Sequence, residues 1–183
     1  MSDPDIAAML RLQEGDETAL EEVVHRHQKN VLNLIYRYLG DATTAEDVSQ
    51  EAFLRVYRAR TSYTPTAKFT TWLYRITVNL CLNQIRSRKA AGPQVAPIGD
   101  LVEEPAGDSP DARLDREDLQ KAVKAAVDAL PENQRMAVVL ARYEDMSYEE
   151  ISEVMNLSLE AVKSALHRAK ETLKEKLARY VKR

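Results

Sequence analysis

The stretch Ser147-Tyr148-Glu149-Glu150-Ile151-Ser152-Glu153-Val154-Met155-Asn156-Leu157-Ser158-Leu159-Glu160-Ala161-Val162-Lys163-Ser164-Ala165-Leu166-His167-Arg168-Ala169 carries its own punctuation. Ser147 followed three residues later by Glu150 is a capping box, so a helix starts at about Tyr148. Ile151, Val154 and Met155 share its apolar side. Asn156 tolerates the left-handed backbone of a sharp turn, Leu157 can plug the space between two helices, and Ser158 can cap the next one. In that second helix Val162, Leu166, Ala169, Leu173 and Leu177 form one buried stripe, leaving Glu160, Lys163, Ser164, His167, Arg168 and Lys170 mostly outside. A short helix, a tight turn and a capped longer helix make a helix-turn-helix. In such a unit the second helix presents its first turns to the DNA major groove, where Lys and Arg meet guanine or phosphate and Ser meets either. A plain helical hairpin with a solvated basic face is the competing explanation of the same residues.

Upstream, Leu130-Pro131 ends one helix (about 111–129) and opens another that reaches about Tyr143. Before that lies a connector, residues 90–112, which holds four of the seven prolines and three of the five glycines. That density forbids a continuous helix and offers no strand alternation. The division predicts an all-α protein of two small helical domains, residues 1–89 and 113–183, joined by a flexible linker. Within residues 91–112 there are five acidic and no basic residues, whereas 159–183 carries eight Lys or Arg against three Glu. The net charge is −3, which does not suit a chain that binds DNA alone through bulk electrostatics.

The first domain reads as helices near 5–14, from Asp16 to Leu39 with Gly40 as its stop, from a Thr43/Glu46 capping box to about Arg60, and from Thr71 to Lys89. In the second of these Leu20, Val23, Val24, Val31, Leu34, Ile35 and Tyr38 keep helical spacing. In the last, Arg75, Asn79, Asn83 and Arg86 fall on one face. Helix-interior asparagines are unfavourable, but their amides can read bases or hold phosphates. The loop before it offers Tyr63, Lys68 and Thr70, with Phe69 at its edge, a mix suited to an unstacked base. One helix earlier, Asp47, Gln50, Glu51 and Leu54 share a face. That face fits a protein-docking surface or simple solvation. His and Cys are missing at ligand spacing, so no metal and no catalytic set is predicted. His25 and His27 diverge on a helix, and Cys81 suits a packed interior position. No cofactor, small-molecule substrate or enzyme activity is expected.

Membrane insertion is not expected either. The apolar run Met136–Ala141 has six residues, far below the roughly 20 of a spanning helix. The acidic start Met1-Ser2-Asp3-Pro4-Asp5 does not read as a signal peptide, and a single cysteine fits a reducing setting, so the predicted location is cytoplasmic.

Taken in order, five segments resemble the extracytoplasmic-function (ECF) sigma factors, the small sigma-70 proteins that keep only regions two and four. They are Ala45-Glu46-Asp47-Val48-Ser49-Gln50-Glu51-Ala52-Phe53-Leu54, Phe69-Thr70-Thr71-Trp72-Leu73-Tyr74-Arg75-Ile76-Thr77-Val78-Asn79, Leu130-Pro131-Glu132-Asn133-Gln134-Arg135, Met146-Ser147-Tyr148-Glu149-Glu150-Ile151 and Ala161-Val162-Lys163-Ser164-Ala165-Leu166-His167-Arg168-Ala169. The resemblance implies an alternative sigma factor working with core RNA polymerase and promoter DNA, and usually an anti-sigma factor as partner. It assigns Asp47, Gln50, Glu51 and Leu54 to polymerase docking on the clamp helices. It gives −10 recognition and melting to Tyr63, Lys68, Thr71, Arg75, Asn79, Asn83 and Arg86, and −35 reading to Glu160, Lys163, Ser164, His167 and Arg168. Ala165 stands where the family often has Arg. A stand-alone helix-turn-helix regulator is the alternative; it leaves the Asp47 face and the Asn79 stripe idle.

Overall fold

The computed structural model describes residues 3–92 and 110–181, and among these there are helices and no strands. In chain order they are α1 (Pro4–Gln13), α2 (Thr18–Leu39), α3 (Ala42–Ala59), one 3-10 turn (Arg60–Ser62), α4 (Phe69–Ala90), α5 (Pro110–Asp128), α6 (Glu132–Tyr143), α7 (Tyr148–Met155), α8 (Leu159–Lys176) and the single turn α9 (Ala178–Val181). Most of the predicted connector lies outside the described residues. At its edges α4 runs to Ala90 and α5 begins at Pro110.

Local chemistry sets the helix ends. Asp3 caps α1 by accepting from the Asp5 N–H at 2.9 Å, and Pro4 supplies a first helical residue that needs no amide partner. Gly40 ends α2 in the left-handed region at φ 75°, where a side chain would be strained. The predicted Thr43/Glu46 capping box is not the start of α3. Asp41 caps it instead, accepting from the Thr44 N–H at 2.9 Å and from the Thr44 hydroxyl. Gly40 and Asp41 alone therefore join α2 to α3. At the helix-turn-helix the Ser147–Glu150 box forms in both directions, at 3.0 and 3.1 Å. Asn156 takes φ 52° and ψ 47°, and Ser158 caps α8 through the Ala161 N–H at 3.1 Å.

The first domain packs α1 to α4 around Val23, Leu34, Ile35, Tyr38, Ala52, Val56, Leu73 and Val78, all essentially inaccessible. Each large aliphatic among them contributes roughly 1.5–3 kcal/mol by leaving water. Cys81 is fully buried there, and burial pushes its thiol up to about 12. Asp5 is buried too. Its carboxylate accepts from Arg26 Nε at 2.7 Å and lies 2.8 Å from His27 Nε2, so α1 is fastened to α2 by a charge that burial would penalise if it stood alone. The second domain closes over Met136, Leu140, Ile151, Val154 and Val162. Leu157 packs half-buried against this core, as the plug reading expects.

The two domains lie against each other, with α7 and α6 on α4 and α6 on α2. Glu144, just past α6, sits between them. Its carboxylate accepts from Tyr74 Oη at 2.8 Å and from Arg37 at 3.4 Å. Tyr38 Oη donates to the Glu132 carbonyl at 3.4 Å, and the Arg135 guanidinium lies 4.4 Å over the Tyr38 ring. Desolvation raises the Glu144 carboxyl above its ordinary range. It also raises the Tyr74 phenol, which the neighbouring carboxylate pushes further, so Tyr74 stays the donor.

Candidate functional site

The docking face expected on α3 is exposed along Asp47, Gln50 and Leu54. Glu51 is half-buried and accepts from Arg55 Nε at 3.0 Å and from Arg58 at 3.5 Å. Beside this face runs a groove of about 610 Å³ between α2 and α3, whose apolar lining is Leu20, Val24, Phe53, Leu54 and Tyr57. Gln50 and Leu54 therefore form one wall, and Glu17, Glu21 and Gln28 edge the other. The groove continues along α2 toward Leu32 and Glu46. Helical spacing predicts Leu20 and Val24 in the core. They are only half-buried, because nothing in the described chain covers them as it covers Val23 and Val31. An apolar floor with a carboxylate and amide rim is what a partner helix bearing apolar and basic residues would seat on.

The α4 stripe is also at the surface. Arg75, Asn79, Asn83 and Arg86 are exposed along one face of a single helix. Lys68, at the end of the preceding loop, is exposed as well. Two members of the expected set are not. Tyr63 is 5% exposed and Thr71 7%. The Tyr63 ring meets Trp72 edge-on at 4.8 Å between centroids, and Phe69 at 6.4 Å. Its hydroxyl is buried with no hydrogen-bond partner among the described residues. Tyr63 thus supports the loop from inside instead of offering an open ring to a base. The three-ring cluster is more favourable than solvating it, because large aromatic area leaves water. Gln13 on α1 fastens the same loop, donating from Nε2 to the Thr61 and Tyr63 carbonyls at 3.3 Å each. Sequence reasoning misses Gln13, because a single glutamine in a short helix carries no signal of a contact 48 or 50 residues away.

The cations beside the loop and on the stripe meet the second domain. Lys68 Nζ lies 3.6 Å from Glu150 Oε1, and Arg75 Nε donates to the Glu153 carbonyl at 3.1 Å. Arg86 Nε donates to Glu132 Oε2 at 3.4 Å, and Lys89 Nζ to the other oxygen of that carboxylate at 2.7 Å. Lys89 is the main reason that the Glu132 carboxyl is held below its ordinary range. Nothing in the sequence points to these partners.

On α8, Glu160, Lys163, Ser164, His167 and Arg168 are all exposed. Val162 and Ala169 are buried on the opposite side. Lys163 Nζ and Glu160 Oε1 pair at 3.3 Å across one turn. Ala165 is half-buried against the core, so the position carries no long polar side chain toward a ligand. Among the described residues no helix is long and apolar enough to cross a membrane.

Comparison with known proteins gives the family. The sigma-70 region 2 family matches residues 23–91, and the sigma-70 region 4 family matches residues 120–173. The RNA polymerase sigma-H factor of Pseudomonas aeruginosa is 34% identical, over 91% of this chain and 90% of its own length. The ECF RNA polymerase sigma-E factor of Escherichia coli K12 is 34% identical, over 94% of each chain. Among solved structures, CnrH in complex with the cytosolic domain of CnrY superimposes with a TM-score of 0.69 at 26% identity, covering 96% of this chain and 98% of that one. The sigma factor RpoE of Bartonella quintana, solved with the anti-sigma factor NepR, shares the fold with a TM-score of 0.65 at 20% identity, covering 86% and 96%. Two family matches in this order span more than half of the residues, and the relatives match over most of their length, so the chain belongs to the sigma-70 family as an extracytoplasmic-function sigma factor.

Proposed function

We propose that this alternative sigma factor divides its work among three surfaces of its own chain. As a sigma factor it associates with core RNA polymerase and promoter DNA, directs transcription and is not an enzyme. In our reading the α2/α3 groove, with Gln50 and Leu54 on its wall, and the adjoining α3 face with Asp47 and Glu51 seat the polymerase. Lys68, Arg75, Asn79, Asn83 and Arg86 meet the −10 strand. Glu160, Lys163, Ser164, His167 and Arg168 meet the −35 duplex. Tyr63 and Thr71 act from within, holding the loop and the first turn of α4. The units are residues 1–89 and 113–183 with the connector between them. We place the protein in the cytoplasm and expect an anti-sigma factor among its partners.

The observation that carries this reading is the exposed run Arg75, Asn79, Asn83 and Arg86. Exposed amides between cations suit a strand whose bases have left their stack. Extruding a base costs a few kcal/mol, and a site that binds it afterwards offsets that cost. Asn79→Ala and Asn83→Ala should therefore impair open-complex formation more than total promoter binding. Permanganate reactivity of unpaired thymines reports the first, and filter retention reports the second. On a template already mismatched at −10 the defect should shrink. Loss of binding with normal opening per bound complex would refute the strand role and leave ordinary duplex contacts.

A further inference from the structure

The three surfaces of the proposed function leave α1 without a task. Yet one end of α1 meets the loop before α4, and the other end reaches the start of α4 through α2. Gln13 is the last residue of α1. Its Nε2 amide donates to two loop carbonyls, those of Thr61 and Tyr63, at 3.3 Å each. A side-chain amide nitrogen carries two N–H donors, so one glutamine can hold both oxygens. Asp5 stands in the first turn of the same helix. Its carboxylate lies 2.8 Å from His27 Nε2 and so orients that imidazole. The His27 ring in turn lies 5.5 Å from the ring of Phe69, the first residue of α4. Between the two ends Met9 and Leu12 are essentially inaccessible, so α1 cannot slide without exposing both.

The loop needs such a hold. Thr64, Pro65, Thr66, Ala67 and Lys68 are all exposed. Its own backbone bonds are sparse: the Tyr63 N–H donates to the Arg60 carbonyl at 3.4 Å, and the Thr66 N–H to the Thr64 carbonyl at 2.8 Å. Inside, the loop is anchored by the Tyr63 ring, whose hydroxyl is buried without a hydrogen-bond partner among the described residues. Water would satisfy that hydroxyl, so the buried position carries a standing bias toward release. Gln13 grips the carbonyl of the same residue and opposes that bias. A loop left free would be ordered only when a strand arrived, and the lost conformational freedom would weaken the binding.

On the proposed −10 reading of the loop and α4, on which this depends, we infer that α1 is a positioning element of the −10 surface and that Gln13 is its positioning residue. Gln13 holds the loop, and Asp5 holds Phe69 through His27. One helix thereby sets both the loop and the first turn of α4, and the two keep a fixed relation before any strand arrives. Gln13 acts through the loop backbone and not through contact with the strand.

The test uses the full chain, free and assembled with core polymerase. Gln13→Met keeps the length and helix preference of the side chain and removes its donors. Gln13 is exposed, so the melting temperature should hardly move. Hydrogen exchange of the loop amides in the free chain should speed up about fivefold, the worth of one net hydrogen bond. The holoenzyme should bind a labelled single-stranded oligonucleotide, carrying the −10 strand of a promoter it transcribes, about fivefold more weakly. Affinity for core polymerase and for a duplex bearing only the −35 element should match wild type. Gln13→Lys keeps a donor of similar reach and should leave the loop amides as protected as in wild type. Loss of protection in Gln13→Lys as well would show that donation does not set the loop, and would overturn the assignment. Unchanged exchange in Gln13→Met overturns it too. So does a lower melting temperature with equal losses of strand, core and −35 duplex binding, which would make Gln13 merely structural. Asn79→Ala in the same strand assay separates this role from the proposed function. If Asn79→Ala weakens strand binding and Gln13→Met does not, the positioning role falls and the −10 surface stands. If neither weakens it, the −10 reading falls and takes this role with it.

Discussion

Leu54→Ala tests whether the α2/α3 groove seats the polymerase. Leu54 is 48% exposed and forms part of the groove wall. Complete burial of a leucine side chain stabilises by roughly 1.5–3 kcal/mol, and Leu54 has already gained about half of that within the chain. A partner that covered the rest would gain about 0.7–1.5 kcal/mol from it, part of which an alanine methyl retains. The expected loss on truncation is thus about 1 kcal/mol, or about a fivefold weaker complex. Folding should hardly change, because alanine is the better helix former and the removed atoms were half in water. Leu10 provides an internal control. It is 41% exposed on α1 and does not line the groove. Competition of labelled wild type from core polymerase should give the Leu54→Ala defect and none for Leu10→Ala, with both melting like wild type. Wild-type affinity in both variants would refute the groove as the seat, and an equal defect in both would show that apolar exposure, not position, governs binding.

Two further outcomes follow from the geometry. The Glu144 carboxyl is raised by desolvation between the domains, so the folded chain holds that proton more tightly than the unfolded one. Its contribution to stability is fully present below the ordinary carboxylate value near pH 4.5 and is lost as pH rises through the raised value. Glu144→Gln removes that titration while keeping an acceptor for Tyr74. The difference in melting temperature between wild type and variant should shift in favour of wild type as the pH is lowered from about 7, and a pH-independent difference would contradict the buried-carboxylate account. On α8, Arg168→Ala and Lys163→Ala should each cost roughly 1–3 kcal/mol at one −35 position if the side chain reads a base. A phosphate contact would instead weaken all −35 sequences alike and flatten the salt dependence. Unchanged transcription and salt slope in both variants would remove α8 from the reader role.

The features legible in the sequence are the local ones. Ser147, Glu150, Asn156, Ser158 and Gly40 act on backbone groups within a turn of themselves, so their types and spacing suffice to place helix ends. The start of α3 is harder to place because Asp41, Thr43 and Thr44 are all competent caps within one turn. Which of them closes on the backbone depends on how tightly Gly40 turns the chain, and Asp41 wins with Thr44 as its donor. The exposed rows on α4 and α8 are legible too, since residues three or four apart must share a face.

Periodicity says which side of a helix is apolar, but not what covers it. Leu20 and Val24 have the spacing of core residues and nevertheless line an open groove, while Tyr63 has the composition of a surface loop and is buried under Trp72. The pairing of Lys68, Arg75 and Arg86 with oxygens of the second domain lies beyond sequence reasoning for the same cause. Its partners stand 46 to 82 residues apart, and spacing along a chain carries no information about which distant charges meet. Residue types and their spacing thus fix the helices, most of their caps and the chemistry displayed on each face, because these depend on neighbours within a turn or two. Which faces are covered is settled in three dimensions, by the packing of distant helices against one another.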